Sequence, residues 1–259
     1  MPPYSPPAST SAIATFSIPP WMKMPEASPA TAAGAVGILG GTFDPIHNAH
    51  LALARIACDK LNLKQVLWIP AGQPPHRTAP RATAAERLAM VQAATAGEAR
   101  FILDASEVAS TAASYTVHTL ARLREHYGPA QPLVLLMGAD AFRGLATWHR
   151  WQEIFGLAHI AVATRPGFPL DAIAPPLATE FATRCRPQAE GGSAFTRPAS
   201  TDFLATPCGH ILTFELIAGT VSATEVRDLI AAGATREQLG ALLPAPVLDY
   251  IYQHSLYAD

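Results

Sequence analysis

Cysteine is scarce in this chain: Cys58, Cys185 and Cys208 are the only three in 259 residues. They are odd in number and far apart, with neither a disulfide framework nor zinc-ligand spacing, which fits a reducing compartment and predicts a cytoplasmic protein. No apolar run is long enough to span a bilayer, so no membrane partner is expected. An excess of charge is missing too. The formal net charge is −2, whereas a general nucleic-acid binder is usually strongly basic, so no nucleic-acid partner is expected either. Near-neutrality leaves room for a small anionic substrate, which needs only a local cluster of donors and cations. A secretory leader is not expected either. Residues 1–33 are rich in Pro, Ala and Ser, the first charged side chain is Lys23, and prolines interrupt every apolar stretch. That composition predicts a disordered extension, with Met22 or Met24 as alternative starts.

Apolar residues make up 49% of the chain, enough for a globular core. After the extension, strand-like and helix-like segments alternate, with no internal repeat. This pattern predicts an α/β fold: a doubly wound, Rossmann-like parallel sheet with helices on both faces. Strands are expected at 35–39, 65–69, 100–103, 133–137, 159–163 and 211–216. Helices are expected from about Asn48 to Leu61, after the Thr83/Glu86 capping box, and from about Tyr115 to a stop at Gly128-Pro129. The C-terminal part reads as helices punctuated by Pro244 and Pro246. Residues 34–259 then form one domain, with a flexible insertion near 186–209.

The most informative segment is Gly40-Gly41-Thr42-Phe43-Asp44-Pro45-Ile46-His47-Asn48-Ala49-His50. It joins the first strand to the first helix, where open α/β sheets hold their ligands. Two glycines allow close backbone approach and positive φ. The helix start offers N–H groups and a positive dipole end to a phosphate. His47 and His50, three apart, share one face and can donate hydrogen bonds to a phosphoryl group. Taken alone, a Gly-Gly pair is usually a turn and a histidine pair at this spacing is usually structural. Half a zinc site is the other alternative, without an apparent third ligand. Gly37, Gly40 and Gly41 do not fit G-x-G-x-x-G, which argues against a dinucleotide-binding dehydrogenase.

A second motif, Val221-Ser222-Ala223-Thr224-Glu225-Val226-Arg227, follows the last strand. Ser222 and Glu225 form a capping box, so on spacing alone these residues need do nothing more than start a helix.

Taken whole, the first string resembles the signature of the nucleotidyltransferase superfamily with an H-x-G-H motif. More narrowly, GGTFDPIH resembles bacterial nicotinate-nucleotide adenylyltransferase. The later segment is similar to that family's I-S-S-T-x-I-R. Four further stretches match in order: Ile69 to Arg77, including His76; Ser114-Tyr115-Thr116-Val117-His118-Thr119-Leu120; Gly138-Ala139-Asp140 with Thr147-Trp148 and Trp151; and Arg165-Pro166-Gly167. The resemblance runs from about Ala35 to Tyr257.

It implies adenylyl transfer from ATP to nicotinate mononucleotide, a step of NAD biosynthesis. His47, His50 and Arg227 are then the catalytic contacts to the triphosphate. Gly40, Gly41, Thr42, Phe43, Gly138, Asp140, Ser222 and Thr224 are implied to bind ATP, with Asp140 as ribose acceptor or helix cap. Tyr115, Thr116, Trp148 and Arg165 are implied to bind the pyridine nucleotide, Trp148 by stacking, while Trp151 serves the core. Mg²⁺ is expected to travel with ATP on substrate oxygens and water, without dedicated protein ligands. The chain departs from the pattern at Ala49, for a glycine; at His118, for an aspartate; and at Ala223, for a serine. The alternatives are a related transferase acting on phosphopantetheine, a dual preference that includes nicotinamide mononucleotide, and a non-catalytic nucleotide-binding module.

Overall fold

A computed structural model describes residues 34–75, 79–164, 170, 173–186, 203, 205–216 and 221–258. The expectations for the 1–33 extension, for His76 and Arg77, for Arg165-Pro166-Gly167 and for 187–202 therefore lie outside the described residues.

The chain runs β1 (Ala35–Gly41), α1 (Asn48–Lys60), β2 (Leu63–Pro70), α2 (Ala84–Thr95), β3 (Phe101–Leu103), α3 (Thr116–Tyr127), β4 (Leu133–Gly138), α4 (Ala139–Arg143), α5 (Ile154–Leu157), β5 (His159–Thr164), α6 (Pro175–Arg184), β6 (Cys185–Arg186), β7 (Ile211–Glu215), α7 (Ala223–Ala231), α8 (Arg236–Gly240) and α9 (Ala245–Gln253). Two 3₁₀ turns, Leu145–Thr147 and Trp151–Glu153, link α4 to α5. The described strands form one sheet in the order β3-β2-β1-β4-β5-β7-β6, and every pairing is parallel.

The sheet has helices on both faces because its strands are apolar on both. In β1, Ala35 and Leu39 join one buried cluster while Val36 and Ile38 join the other. In β4, Val134 and Leu136 face the first cluster, and Leu133, Leu135 and Met137 the second. Such two-sided burial removes the polar alternation of a half-exposed strand. Strand order reverses between β1 and β4: β1 leads outward through β2 to β3, and β4 leads the other way. The carboxyl ends at this switch point, Gly41 and Gly138, therefore flank the crevice that such sheets offer to ligands.

Local signals set the helix ends. The Thr83/Glu86 capping box opens α2, and Gly128 closes α3 with φ 81°, a left-handed conformation that glycine adopts without steric penalty. Helices α5 and α6 and the short β6 were not anticipated, and α4 was foreseen only through the reading of Asp140 as a helix cap. The stretch 186–209 is also not wholly apart from the domain: Phe203 is buried in the core and stacks edge-on to His159.

Candidate active site

The β1–α1 loop departs from expectation at its glycines. Neither Gly40 nor Gly41 has positive φ; Phe43 does, at 52°. The glycines serve by lacking a side chain. A Cβ on Gly41 would sit 3.1 Å from the Phe43 ring, so a side chain there would push the ring back by a few tenths of an ångström. Around the Gly138 Cα there is open space, with nothing within 4 Å of a Cβ built on it. Phe43 is buried, its ring edge-on to His50 at 5.1 Å and tilted against Trp68 at 5.7 Å. A bulky residue in the left-handed region persists only where its surroundings hold it. Arg87 of α2 supplies part of that hold: buried, it donates to the carbonyls of Thr42 at 2.7 Å, Ala82 at 3.3 Å and Gly72 at 3.3 Å.

The two histidines meet as expected from their spacing. Their rings stack at 3.7 Å with 28° between planes. The His47 N–H donates to Nδ1 of His50 at 3.2 Å. Nδ1 of His50 is therefore an acceptor, which puts the proton of the neutral ring on Nε2 and makes that nitrogen a donor. Burial lowers His47 to about 4, and burial followed by repulsion from His47 holds His50 well below the ordinary imidazole value. Both rings are neutral donors at neutral pH before any anion arrives. Among the described residues, Nδ1 of His47 is buried without a hydrogen-bond partner, and in a native fold such an atom calls for a ligand or a water.

The start of α1 contributes less to phosphate binding than its position suggests. The Asn48 N–H is taken by the Leu242 carbonyl at 2.9 Å, and that of His50 by the His47 carbonyl at 3.0 Å. Two of the N–H groups that the helix end was expected to offer are therefore already taken within the protein.

Arg227 comes to the same loop from 183 residues away. Its Nη1 donates to the Asp44 carbonyl at 2.6 Å and its Nη2 to the Thr224 hydroxyl at 3.0 Å. The guanidinium thus lies against the backbone three residues before His47, the convergence required if both are to meet one triphosphate. Ser222 caps α7 by accepting from the Glu225 N–H at 3.1 Å; its hydroxyl proton is not used in that bond and can still be donated.

Across the crevice, Tyr115 caps α3 and Thr116 begins it. This segment is pinned to the loop after β2: the Ser114 hydroxyl accepts from the N–H groups of Gly72 at 3.0 Å and Gln73 at 3.2 Å. Gly72 is required here, because a Cβ on it would lie 2.0 Å from the Glu107 carbonyl oxygen. The Tyr115 ring lies 4.4 Å from His149, and His118 is edge-on to both at 5.6 Å. The His149 contact ties the Trp148 turn to the α3 start. Trp148 and Trp151 do not share a helix face. They sit on separate turns divided by Arg150, which is left-handed at φ 51°. Both tryptophans are half-buried against the core, and Trp151 also meets Phe155.

Asp140 does not cap α4; Gly138 occupies the cap and Asp140 the first turn. Its side chain is 89% exposed and pairs with Arg143 at 2.9 Å.

Sequence reasoning missed Arg87, the role of Asp44 and Tyr257. Asp44 is buried, and its carboxylate accepts from the N–H groups of Arg81 and Ala82 and from the Tyr257 hydroxyl. Asp44 stood inside the Gly40 to His50 string, and Arg87 beside the apolar positions Leu88, Met90 and Val91 of its helix, but neither pattern gave their contacts.

Residues 38–229 match the cytidylyltransferase-like family. Among curated relatives, a protein of Dechloromonas aromatica described as "Probable nicotinate-nucleotide adenylyltransferase" is 53% identical over 228 residues, 86% of this chain and 98% of that protein. One of the same description from Stenotrophomonas maltophilia is 42% identical, covering 84% of this chain and 94% of its own length. Among solved structures, the nicotinic acid mononucleotide adenylyltransferase of Plasmodium falciparum, complexed with NaAD, shares the fold with a TM-score of 0.61 at 15% identity, over 86% of this chain and 97% of that one. The chain belongs to the cytidylyltransferase-like family and, within it, to the nicotinate-nucleotide adenylyltransferases.

Proposed function

We propose that this protein transfers the adenylyl group of MgATP to nicotinate mononucleotide, giving nicotinic acid adenine dinucleotide and pyrophosphate, a step of NAD biosynthesis in the cytoplasm. One observation carries the assignment of the site: a buried, unpartnered imidazole nitrogen on His47 and the Arg227 guanidinium are held on a single loop.

In this reading, an oxygen of the mononucleotide phosphate attacks the α-phosphorus of ATP in line. A P–O bond forms, the bond from the α-phosphorus to the bridging oxygen breaks, and pyrophosphate leaves with the electron pair. No protein nucleophile is needed, so catalysis rests on positioning and on donors aimed where charge grows. His47 and His50 donate to the phosphoryl oxygens. Arg227, with the Thr224 and Ser222 hydroxyls, holds the leaving pyrophosphate; a guanidinium stays charged and offers a fork of donors. Gly40, Gly41, Thr42, Phe43, Gly138 and Asp140 line the remainder of the ATP site, where the exposed Asp140, paired with Arg143, is the ribose acceptor. Tyr115, Thr116, Trp148 and Arg165 receive the pyridine nucleotide, Trp148 offering a flat apolar face.

The cation belongs to the substrate. The donors of the site are imidazole, guanidinium and hydroxyl groups that suit phosphate oxygens, and the Asp44 carboxylate is already committed to protein donors. A hard cation such as Mg²⁺ takes oxygen ligands, which the triphosphate and water supply.

The test is an assay of purified protein with ATP and Mg²⁺ and each mononucleotide in turn. Dinucleotide is expected from nicotinate mononucleotide in preference to the nicotinamide form. Product from neither, with no release of pyrophosphate, overturns the reading.

A further inference from the structure

Asp44 lies under the phosphate loop and joins three parts of the chain. Its Oδ1 accepts from the Tyr257 hydroxyl at 2.8 Å and the Ala82 N–H at 3.1 Å, and its Oδ2 accepts from the Arg81 N–H at 2.9 Å. Arg227 approaches Oδ2 only to 3.8 Å, beyond hydrogen-bond reach, and donates a hydrogen bond to the Asp44 backbone carbonyl instead. An ionised carboxylate has about four acceptor sites. With three of them filled, the attraction left for Arg227 is a residual one. The guanidinium is held near the carboxylate without being captured by it.

We propose that Tyr257 is a positioning residue for the phosphate site: by donating to Asp44, its hydroxyl keeps the carboxylate from drawing in Arg227 and so leaves the guanidinium directed at the triphosphate. The inference rests on the role given to Arg227 above.

Tyr257 is built to be held in this place. It is buried, its backbone is left-handed at φ 64°, and it lies beyond α9 in contact with the core that α9 helps to form. Such a conformation persists when its surroundings over-determine it. Burial first, then the neighbouring Asp44, pushes its phenol above the ordinary tyrosine value, so across the neutral range it acts as a donor. Without the hydroxyl, Oδ1 keeps only the Ala82 N–H, and a buried carboxylate short of a donor turns to the nearest mobile cation. Arg87 is already bonded to three backbone carbonyls. Arg227, already 3.8 Å from this carboxylate, can close the gap.

The experiment is a double-mutant cycle read by calorimetric binding of MgATP, which needs no acceptor substrate and so remains valid if the acceptor assignment fails. Tyr257→Phe keeps the buried ring and is expected to weaken ATP binding roughly fivefold, the scale of one hydrogen bond. The Michaelis constant for nicotinate mononucleotide should not move. In an Arg227→Ala background the same substitution should have no further effect on ATP, since it acts through the guanidinium. A merely structural tyrosine would lower the melting temperature and leave ATP affinity as it was, or would weaken ATP equally in both backgrounds; either result overturns the proposal. If Tyr257→Phe fails to fold, tyrosine fluorinated beside the hydroxyl and placed at 257 carries the test. That stronger donor should tighten ATP binding, and unchanged affinity overturns the proposal.

Discussion

Each edge of the sheet carries a stacked pair of histidines, and the two pairs differ in one respect. At the amino edge, His159 opens β5 and lies parallel to His210 at 5.3 Å; at the carboxyl edge, His47 and His50 stack at 3.7 Å. Burial lowers both His47 and His159 to about 4. His159, however, is saturated. Its Nδ1 accepts from the His210 N–H at 3.1 Å, which puts the proton on Nε2, 2.9 Å from the Thr206 carbonyl. His47 is equally buried but leaves Nδ1 without a partner. Residue type, ring stacking and desolvation are shared, so none of them marks a site. The unmet hydrogen bond is what the two pairs do not share. A satisfied buried imidazole contributes to stability, whereas an unsatisfied one carries a cost.

The comparison makes opposite predictions at the two edges. The largest effect is expected from His159→Ala. It leaves the His210 N–H and the Thr206 carbonyl unpaired beside a cavity and should lower unfolding free energy by about 4 kcal/mol, with turnover of the folded fraction unchanged. A stable variant with impaired turnover would erase the distinction.

Acid should act next. The ordinary imidazole value is 6.5 and that of folded His159 is about 4, so between those limits the unfolded chain binds more protons. Stability present above about pH 6.5 is therefore lost as pH falls, by about 3 kcal/mol for His159 alone at pH 4. Urea midpoints measured from pH 7 to pH 4.5 check this, and a flat profile contradicts it.

At the carboxyl edge, His50→Ala should slow adenylyl transfer about a hundredfold, roughly 2.7 kcal/mol of transition-state stabilisation, with a smaller loss of melting temperature than His159→Ala, since only the His47 N–H loses its acceptor. Single-turnover rates separate this from weaker binding. The smallest effect, about tenfold in kcat/KM for ATP, is expected from Arg227→Ala; the Michaelis constant for nicotinate mononucleotide should stay in place. Equal losses for both substrates would argue against a role confined to the triphosphate.

Much of this was legible in the residues. Long apolar runs at 133–137 and 159–163 became β4 and β5 with one residue added to each, because strands buried on both faces leave little ambiguity. Caps at Thr83 and Gly128 and the box at Ser222 and Glu225 also held. Contacts across great sequence distance were hidden. Nothing in the local pattern ties Asp44 to Tyr257, 213 residues on, or links Tyr115 to His149 by ring contact. The glycines misled for a different reason: composition says where the backbone is free to adopt positive φ, and the loop put that conformation on Phe43 instead. For the histidines, spacing gave the shared face, but only the three-dimensional structure distinguishes the saturated pair from the open one.

Nitrogen-15 NMR of the imidazole and guanidinium side chains, followed as a nonhydrolysable MgATP analogue is added, tests the central claim most directly. The account predicts that His47, His50 and Arg227 shift together along one saturation curve while His159 stays fixed. Saturable binding that moves the histidines without Arg227, or moves His159 in their place, would contradict it.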